Sequence, residues 1–252
     1  MGWISSYLSE HLVFVFFFFI CGSIFGSFLN CMAMRIVNKE DFVFSRSHCD
    51  ACGHELSALD LVPIFSYIFL KGRCRYCKRK LSISYPLTEF FLGILFVLTY
   101  LHHQKLSAPL FFDLSLFSIV SGLSLVDFRS YTIPDGFVVS GLINWLVRGL
   151  FTGFEYKDIV SAFLLSLSIF LLSSIMNRAN GKENFGGGDI KLIFMAVLYT
   201  GFIKGVLVLL ISSLLGVFAI LKSGNKKIPF GPCISFALFL VILYGDLQLR
   251  YV

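Results

Sequence analysis

Long apolar stretches recur along this 252-residue chain and dictate its class. They fall at about 12–30, 83–101, 110–126, 136–151, 158–176, 190–203, 205–221 and 228–245. A helix crossing a bilayer needs about 20 mostly apolar residues, and helices suit the task because they satisfy their own backbone polar groups. Composition agrees: 57% of residues are hydrophobic, 14% are charged and 30 are Phe, more apolar surface than a soluble domain of this length hides. The expected fold class is all-α, a polytopic integral membrane protein of about eight transmembrane helices. Segments 136–151 and 190–203 are short. Fourteen residues rise about 21 Å, less than the roughly 30 Å hydrocarbon core. Such a span either draws its end towards membrane depth or thins the bilayer locally. Residues 1–11 carry no Lys or Arg, and the first apolar run reaches Leu29 without a clear cleavage site. It reads as a retained helix, not a cleaved signal peptide.

Charge placement gives orientation. Residues 31–82 hold Arg35, Lys39, Arg46, Lys71, Arg73, Arg75, Lys78, Arg79 and Lys80. With eight crossings, the loops on that side add Arg129, Arg178, Lys182, Lys191, Lys222, Lys226 and Lys227, which makes sixteen of the 21 basic residues. Lys105, Arg148, Lys157, Lys204 and Arg250 fall to the other side. The positive-inside rule places the long loop and both acidic sites at the cytoplasmic face, with the termini outside. Topology accounts for the net charge of +6 without nucleic acid as a partner.

Two acids stand at the mouths of apolar stretches. Asp189 closes Phe185-Gly186-Gly187-Gly188-Asp189 and precedes a long apolar run; Asp127 ends the stretch Leu110–Val126, with Asp135 following in Ile133-Pro134-Asp135-Gly136. An Asp at a membrane helix centre costs roughly 2.5–3.5 kcal/mol on insertion scales, so such residues mark function. The glycines let another backbone approach the carboxylate. Two acids at membrane level point either to an ion path or to an aspartic protease dyad, in which the pair shares a proton. Asp135 rivals Asp127 for the first position, though its place between Pro134 and Gly136 fits a supporting, helix-entry role better. The plain alternative for Asp189 is a helix cap, which does not call for three glycines.

Cys49-x2-Cys52 and Cys74-x2-Cys77 lie in the one long polar segment, with 21 residues between the pairs. Four thiolates at this spacing close a tetrahedral zinc site, and a loop with little apolar core gains its stability from the metal. Two disulfides or free thiols are the alternatives, and a reducing cytoplasm disfavours the first. His48 and His54 flank the first pair as solvated loop residues. Cys21, Cys31 and Cys233 read as small packing residues in or beside apolar spans.

Taken in order, these motifs resemble the type IV prepilin peptidase family, along most of the chain. The resemblance begins in Gly22-Ser23-Ile24-Phe25-Gly26-Ser27-Phe28-Leu29-Asn30 and reaches Arg35. It runs through the two cysteine pairs with Asp60-Leu61-Val62-Pro63 and Lys71-Gly72-Arg73-Cys74-Arg75, then Tyr85-Pro86-Leu87-Thr88-Glu89. Asp127 with Ile133-Pro134-Asp135, the GxGD run ending at Asp189, and Pro229-Phe230-Gly231-Pro232 complete it. A lone GxGD is weak; its order and spacing with paired CxxC motifs are specific. Val37 departs from the family, many members of which carry proline there.

The resemblance implies a bifunctional enzyme of bacterial inner membranes. Such an enzyme cuts the basic leader from prepilins or pseudopilins at the cytoplasmic boundary, then methylates the new N-terminal amine with S-adenosylmethionine. It implies Asp127 and Asp189 as catalytic, with Asp135, Gly186 and Gly188 supporting. It also implies residues 1–101, including the cysteine loop 31–82, as the methyl-transfer part, and 102–252 as a six-helix peptidase domain. Gly72, Arg73 and Glu89 are the methyl-transfer candidates. No glycine-rich nucleoside-binding fingerprint supports that half independently. Pairing of Glu89 with a basic residue such as Arg35 is its plain alternative reading, and anionic lipid is the rival ligand for the basic cluster 71–80. A peptidase without methyl transfer, an ion-coupled transporter and a non-enzymatic assembly subunit are the competing functions; neither of the last two explains both the acids and the cysteine loop.

Overall fold

Helix dominates the computed structural model, which describes residues 2–41, 46–180, 186–224 and 228–249. Phe185, Lys182, Lys226, Lys227 and Arg250, which entered the motif and charge readings, lie outside the described residues. The helices are α1 (Gly2–Asn38), α2 (Phe65–Phe69), α3 (Ser84–His103), α4 (Ala108–Ser130), α5 (Asp135–Thr152), α6 (Tyr156–Asn180), α7 (Gly187–Ser223) and α8 (Gly231–Leu249). Among the described residues no strand forms; two isolated bridges are the only extended pairings. Among the described residues five helices are long and apolar enough to cross a membrane: α1 over His11–Asn38, α3, α4, α6 over Tyr156–Arg178, and α7. The apolar part of α8, Gly231–Gly245, is shorter.

Helix α7 contains both late segments expected from sequence. Its break falls at Gly201 (φ 76, ψ 177), not at Lys204 between the two expected spans. That backbone region is essentially restricted to glycine. The chain bends so sharply there that a Cβ on Gly205 would lie 2.7 Å from Val197 Cγ2. Residues eight apart in an unbroken helix are about 12 Å apart.

The chain divides into two compact units, residues 1–110 and 111–252. In the first, α1 packs on α3 through Gly22-x3-Gly26, the small-residue spacing that lets membrane helices meet backbone to backbone. A Cβ on Gly22 would sit 2.5 Å from Leu92 O, and one on Gly26 would sit 2.8 Å from Glu89 Cα. Asn30 Nδ2 donates across this seam to Thr88 Oγ1 at 2.8 Å, a kind of contact that averages about 0.6 kcal/mol in membranes. Higher up, Phe18 stacks on Tyr100 with ring centroids 4.9 Å apart.

In the second unit α4 is covered on several faces: Leu116, Phe117, Val120 and Leu123 are all fully buried. Ser124 Oγ donates to Ser235 Oγ of α8 at 2.7 Å. A buried polar cluster ties α5 to α4 and α7. Arg148 reaches Asp113 at 3.4 Å and lies over the Tyr199 ring; Tyr199 donates to Asn144 and to Gly141 O. The near ends of α4, α5 and α7 carry Asp127, Asp135 and Asp189.

Candidate active site and metal centre

The acidic centre is assembled where α4 ends and α7 and α8 begin. The apolar stretch ends at Val126, but the helix continues to Ser130. Asp127 therefore sits inside the last turn, and only 4% of it is exposed. Its Oδ2 accepts the backbone N–H of Gly231, at the start of α8, at 2.8 Å. A Cβ on Gly231 would stand 2.8 Å from that same oxygen, so only glycine allows this approach. Asp189 lies in the first turn of α7, whose N-cap is Gly186. It is therefore not the capping residue. Its carboxylate folds over Gly186, 3.2 Å from where a Cβ would be. Gly188 packs on Ile133 of the α4–α5 loop, where a Cβ would be 2.9 Å from Ile133 Cβ. Asp127 lies near enough for its charge to act on Asp189. Asp135 opens α5, is exposed, and pairs with Lys191 at 2.5 Å.

The four loop cysteines converge. Their sulfurs all lie within 4.8 Å of one another, and Cys49 Sγ is 3.9 Å from Cys77 Sγ. A tetrahedron with Zn–S bonds of 2.3 Å sets sulfurs about 3.8 Å apart. Two equivalent turns build the cluster. Gly53 N–H donates to Cys49 O at 2.8 Å and Lys78 N–H to Cys74 O at 3.1 Å; Gly53 and Lys78 both take positive φ, 68° and 59°. The bridges His48–Glu55 and Arg73–Lys80 close the two turns at matching positions. Backbone N–H groups of Cys77 and Tyr76 draw the Cys74 thiol down to about 7. The N–H of His54 favours the Cys52 thiolate, but desolvation and the Cys49 and Cys77 sulfurs outweigh it and push the group up to about 11. Four such thiols ionise together only when a cation shares their charge. The donor set and spacing fit a metal ion.

Asp60 fastens this module. Its carboxylate accepts from Ser57 Oγ at 2.7 Å, from Arg75 Nε at 2.6 Å and from Tyr76 OH at 3.3 Å. Burial pushes the group up, but the Ser57 and Arg75 bonds prevail and hold it below the usual carboxylate range. The rings of His54 and Tyr76 lie 3.6 Å apart, joining the two turns.

Beneath the module is a cavity of about 470 Å³, walled by α1, α3 and the loop. Its lining includes Arg35, Asp60, Tyr67, Cys74, Tyr85 and Glu89. Arg35 and Glu89 are 7% and 6% exposed. The Glu89 Oε2 atom accepts the Ile64 backbone N–H at 2.6 Å, and Ser27 bonds the same carboxylate. The expected alternative partner, Arg35, instead donates to Arg46 O at 2.8 Å. Ile64 (φ 63, ψ −51) centres a tight turn closed by Phe65 N–H to Pro63 O at 2.6 Å. This positive-φ γ-turn is rare and strained, and the Glu89 bond holds it. Gly72 also has positive φ, 67°, and a Cβ there would press on the Tyr67 ring at 2.9 Å. Arg73 is exposed on the second cysteine turn. Sequence reasoning gave no role to Ile64, Tyr67, Tyr85 or Gly231; the Pro229–Pro232 run was the one local signal for the last.

Fold and site define a polytopic membrane protein with an aspartate pair and a four-cysteine module. Residues 20–103 match the bacterial peptidase A24 N-terminal domain, and residues 114–221 match the type IV leader peptidase family. The prepilin leader peptidase/N-methyltransferase of Aeromonas hydrophila is 31% identical over 82% of this chain and 74% of its own. That of Bacillus subtilis (strain 168) is 30% identical over 90% and 93%, and that of Pseudomonas putida 29% over 90% and 89%. The chain belongs to the type IV leader peptidase family. No solved structure matches it. The transporter and assembly-subunit alternatives lose their ground, because both matched families are peptidases.

Proposed function

We propose that this chain cleaves the basic leader from prepilin-like proteins at the cytoplasmic face of the bacterial inner membrane and N-methylates the residue exposed. The observation that carries the reading is the Asp127–Asp189 pair, on the ends of α4 and α7 within the family-matched residues 114–221, with Asp127 held by Gly231 of α8 beyond them. One carboxylate takes a proton from water, which attacks the scissile carbonyl; the other, protonated, hydrogen-bonds the carbonyl oxygen. The proton then passes to the leaving amine. Titration belongs to the pair, not to either residue. Gly231 fixes the orientation of Asp127, and Gly186 and Gly188 bring Asp189 into place. Asp135, paired with Lys191, supports the entry of α5.

Methyl transfer belongs to the first unit. Its cavity has the size of small-molecule sites, and its buried Arg35 and Glu89 suit a zwitterionic methyl donor. S-adenosylmethionine would be held there and would supply an electrophilic methyl group. Glu89 orients the substrate amine and accepts the proton that it must shed to act as a nucleophile, Tyr67 and Tyr85 wall the cavity, and Gly72 and Arg73 shape its roof. Zinc on Cys49, Cys52, Cys74 and Cys77 would brace that roof. Incubation of the purified protein with a prepilin and S-adenosylmethionine, read by mass spectrometry, tests both halves. Loss of the leader and a gain of one methyl group are expected; an intact prepilin overturns the reading.

A further inference from the structure

The loop between α1 and α3 exposes apolar side chains that no described residue of the first unit covers. Leu59 is 69% exposed, Phe65 61%, Ile68 62% and Phe69 80%. They lie on the turn Ala58–Leu61 and on α2, outside the long apolar helices. The segment is not free to swing. The N–H of Ile64, just before α2, is bonded to Glu89. Glu89 stands five residues inside α3, which begins at Ser84. Five residues along a helix are about 7.5 Å. The strained turn at Ile64 thus ties the start of α2 to the first turns of α3. Ile83, just before α3, and Leu87 and Phe90 within its first two turns are exposed as well, so the membrane-crossing helix to which α2 is tied carries apolar surface of its own near that end. Directly after α2 come Lys71, Arg73, Lys78, Arg79 and Lys80, all exposed. Among the described residues none of the five is in an ion pair, whereas Arg46 and Arg75 of the same module are.

We propose that residues 58–70 are an interfacial anchor, with Leu59, Phe65, Ile68 and Phe69 immersed in the phospholipid leaflet and the basic residues 71–80 resting on its anionic headgroups. Amphipathic segments of this kind sit about 5–10 Å into the headgroup and acyl boundary, and the Glu89 bond holds this one at the end of a membrane-crossing helix. A basic residue near an anionic surface contributes about 1 kcal/mol. The occupant is lipid because the exposed apolar segment is tied to a membrane-crossing helix, the charge that follows it at 71–80 is all basic, and the one acid within it, Asp60, is already paired with Arg75. The anchor keeps the four-cysteine module and its cavity at the membrane surface. The inference rests on α1 and α3 crossing the bilayer.

The test uses the full chain in nanodiscs containing anionic lipid. Phe69→Trp adds one fluorophore, read by difference from the parent protein. Phosphatidylcholine brominated near the headgroup end of its chains should remove most of the added emission, and aqueous iodide should leave it. Quenching by iodide overturns the proposal in favour of a solvated loop. Resistance to both quenchers overturns it in favour of a protein covering this face. Phe16→Trp, on the exposed side of α1, is the control. Failure of deep-brominated lipid to quench it overturns the crossing of α1 itself, whereas quenching there without quenching at Phe69→Trp removes only the anchor. Arg79→Glu with Lys80→Glu should lessen the lipid quenching at Phe69→Trp in anionic nanodiscs; unchanged quenching overturns the headgroup contact.

Discussion

Gly231 and Asp127 are 104 positions apart, yet one donates its peptide N–H to the carboxylate of the other at 2.8 Å. No side chain fits between them. Gly231→Ala keeps the N–H but puts a Cβ 2.8 Å from Oδ2, so the carboxylate must move. Misplacement of a reacting group by about 1 Å costs on the order of 100-fold in rate. Leader cleavage by Gly231→Ala should fall by about that factor in a quantitative mass-spectrometric assay, with the protein still present in the membrane; a near-normal rate removes Gly231 from the site. Asp127→Asn and Asp189→Asn each delete a titrating proton while keeping shape. Each should lower cleavage by about 10²–10⁴-fold or more. Asp135 makes an exposed pair with Lys191, and exposed pairs are worth only about 0–1 kcal/mol. Asp135→Asn should keep substantial activity. An inactive Asp135→Asn beside an active Asp127→Asn would reverse the assignment of the first aspartate.

At the scale of elements, the four-cysteine module is the part that most depends on a ligand. Structural zinc supplies about 10–16 kcal/mol to finger peptides, while the polar loop around these cysteines buries few large side chains. Changing Cys49 and Cys77 together to Ser should release one metal ion per chain by elemental analysis, and should lower methylation more than cleavage. A pure parent protein without metal, carrying four alkylatable loop thiols, sinks this expectation. The break in α7 is a separate device. Gly201→Ala forces a Cβ into a backbone region that costs about 1–3 kcal/mol, with Asp158 Oδ1 only 3.0 Å away. Thermal unfolding in detergent should shift down; an unchanged midpoint means that the bend does not need glycine. The sequence made the cysteine cluster and the two acids legible, because fixed spacings of rare residues survive any fold. Apolar run lengths made α3, α4, α5, α6 and α8 legible to within about four residues, but α1 extends well beyond 12–30 at both ends and the two runs 190–203 and 205–221 form the single helix α7. The Gly201 bend was blurred because the apolar pattern runs straight through it. The grip of Glu89 on Ile64 was hidden because a backbone N–H leaves no mark in sequence. Asp189 as a cap was a fair local reading until Gly186 proved to open the helix.

For the whole molecule, the chain divides into units 1–110 and 111–252. The two aspartates proposed for leader cleavage belong to the second unit; the cavity proposed for methyl transfer, Glu89 and the four cysteines belong to the first. Each activity should therefore be removable without the other. Glu89→Gln is the sharper substitution, because Gln still presents an oxygen to the Ile64 N–H at the 2.6 Å site and loses only the charge. The γ-turn and the cavity should persist, and the amine should no longer find its proton acceptor. Gly72→Trp acts by shape: its backbone has φ 67°, and any side chain meets Tyr67, a wall of the cavity. Both variants should yield pilin that is cleaved but not methylated. The assay supplies labelled S-adenosylmethionine and a pre-cleaved pilin, so that failed proteolysis cannot imitate failed methylation. Incorporation should fall by at least the roughly 10²-fold typical of losing a charge-stabilising contact in an active site, while leader removal stays within a few-fold of the parent. Normal methylation by both variants would move the methyl-transfer site out of this cavity. Loss of both activities together would instead show that the first unit is needed to hold the second in its working form.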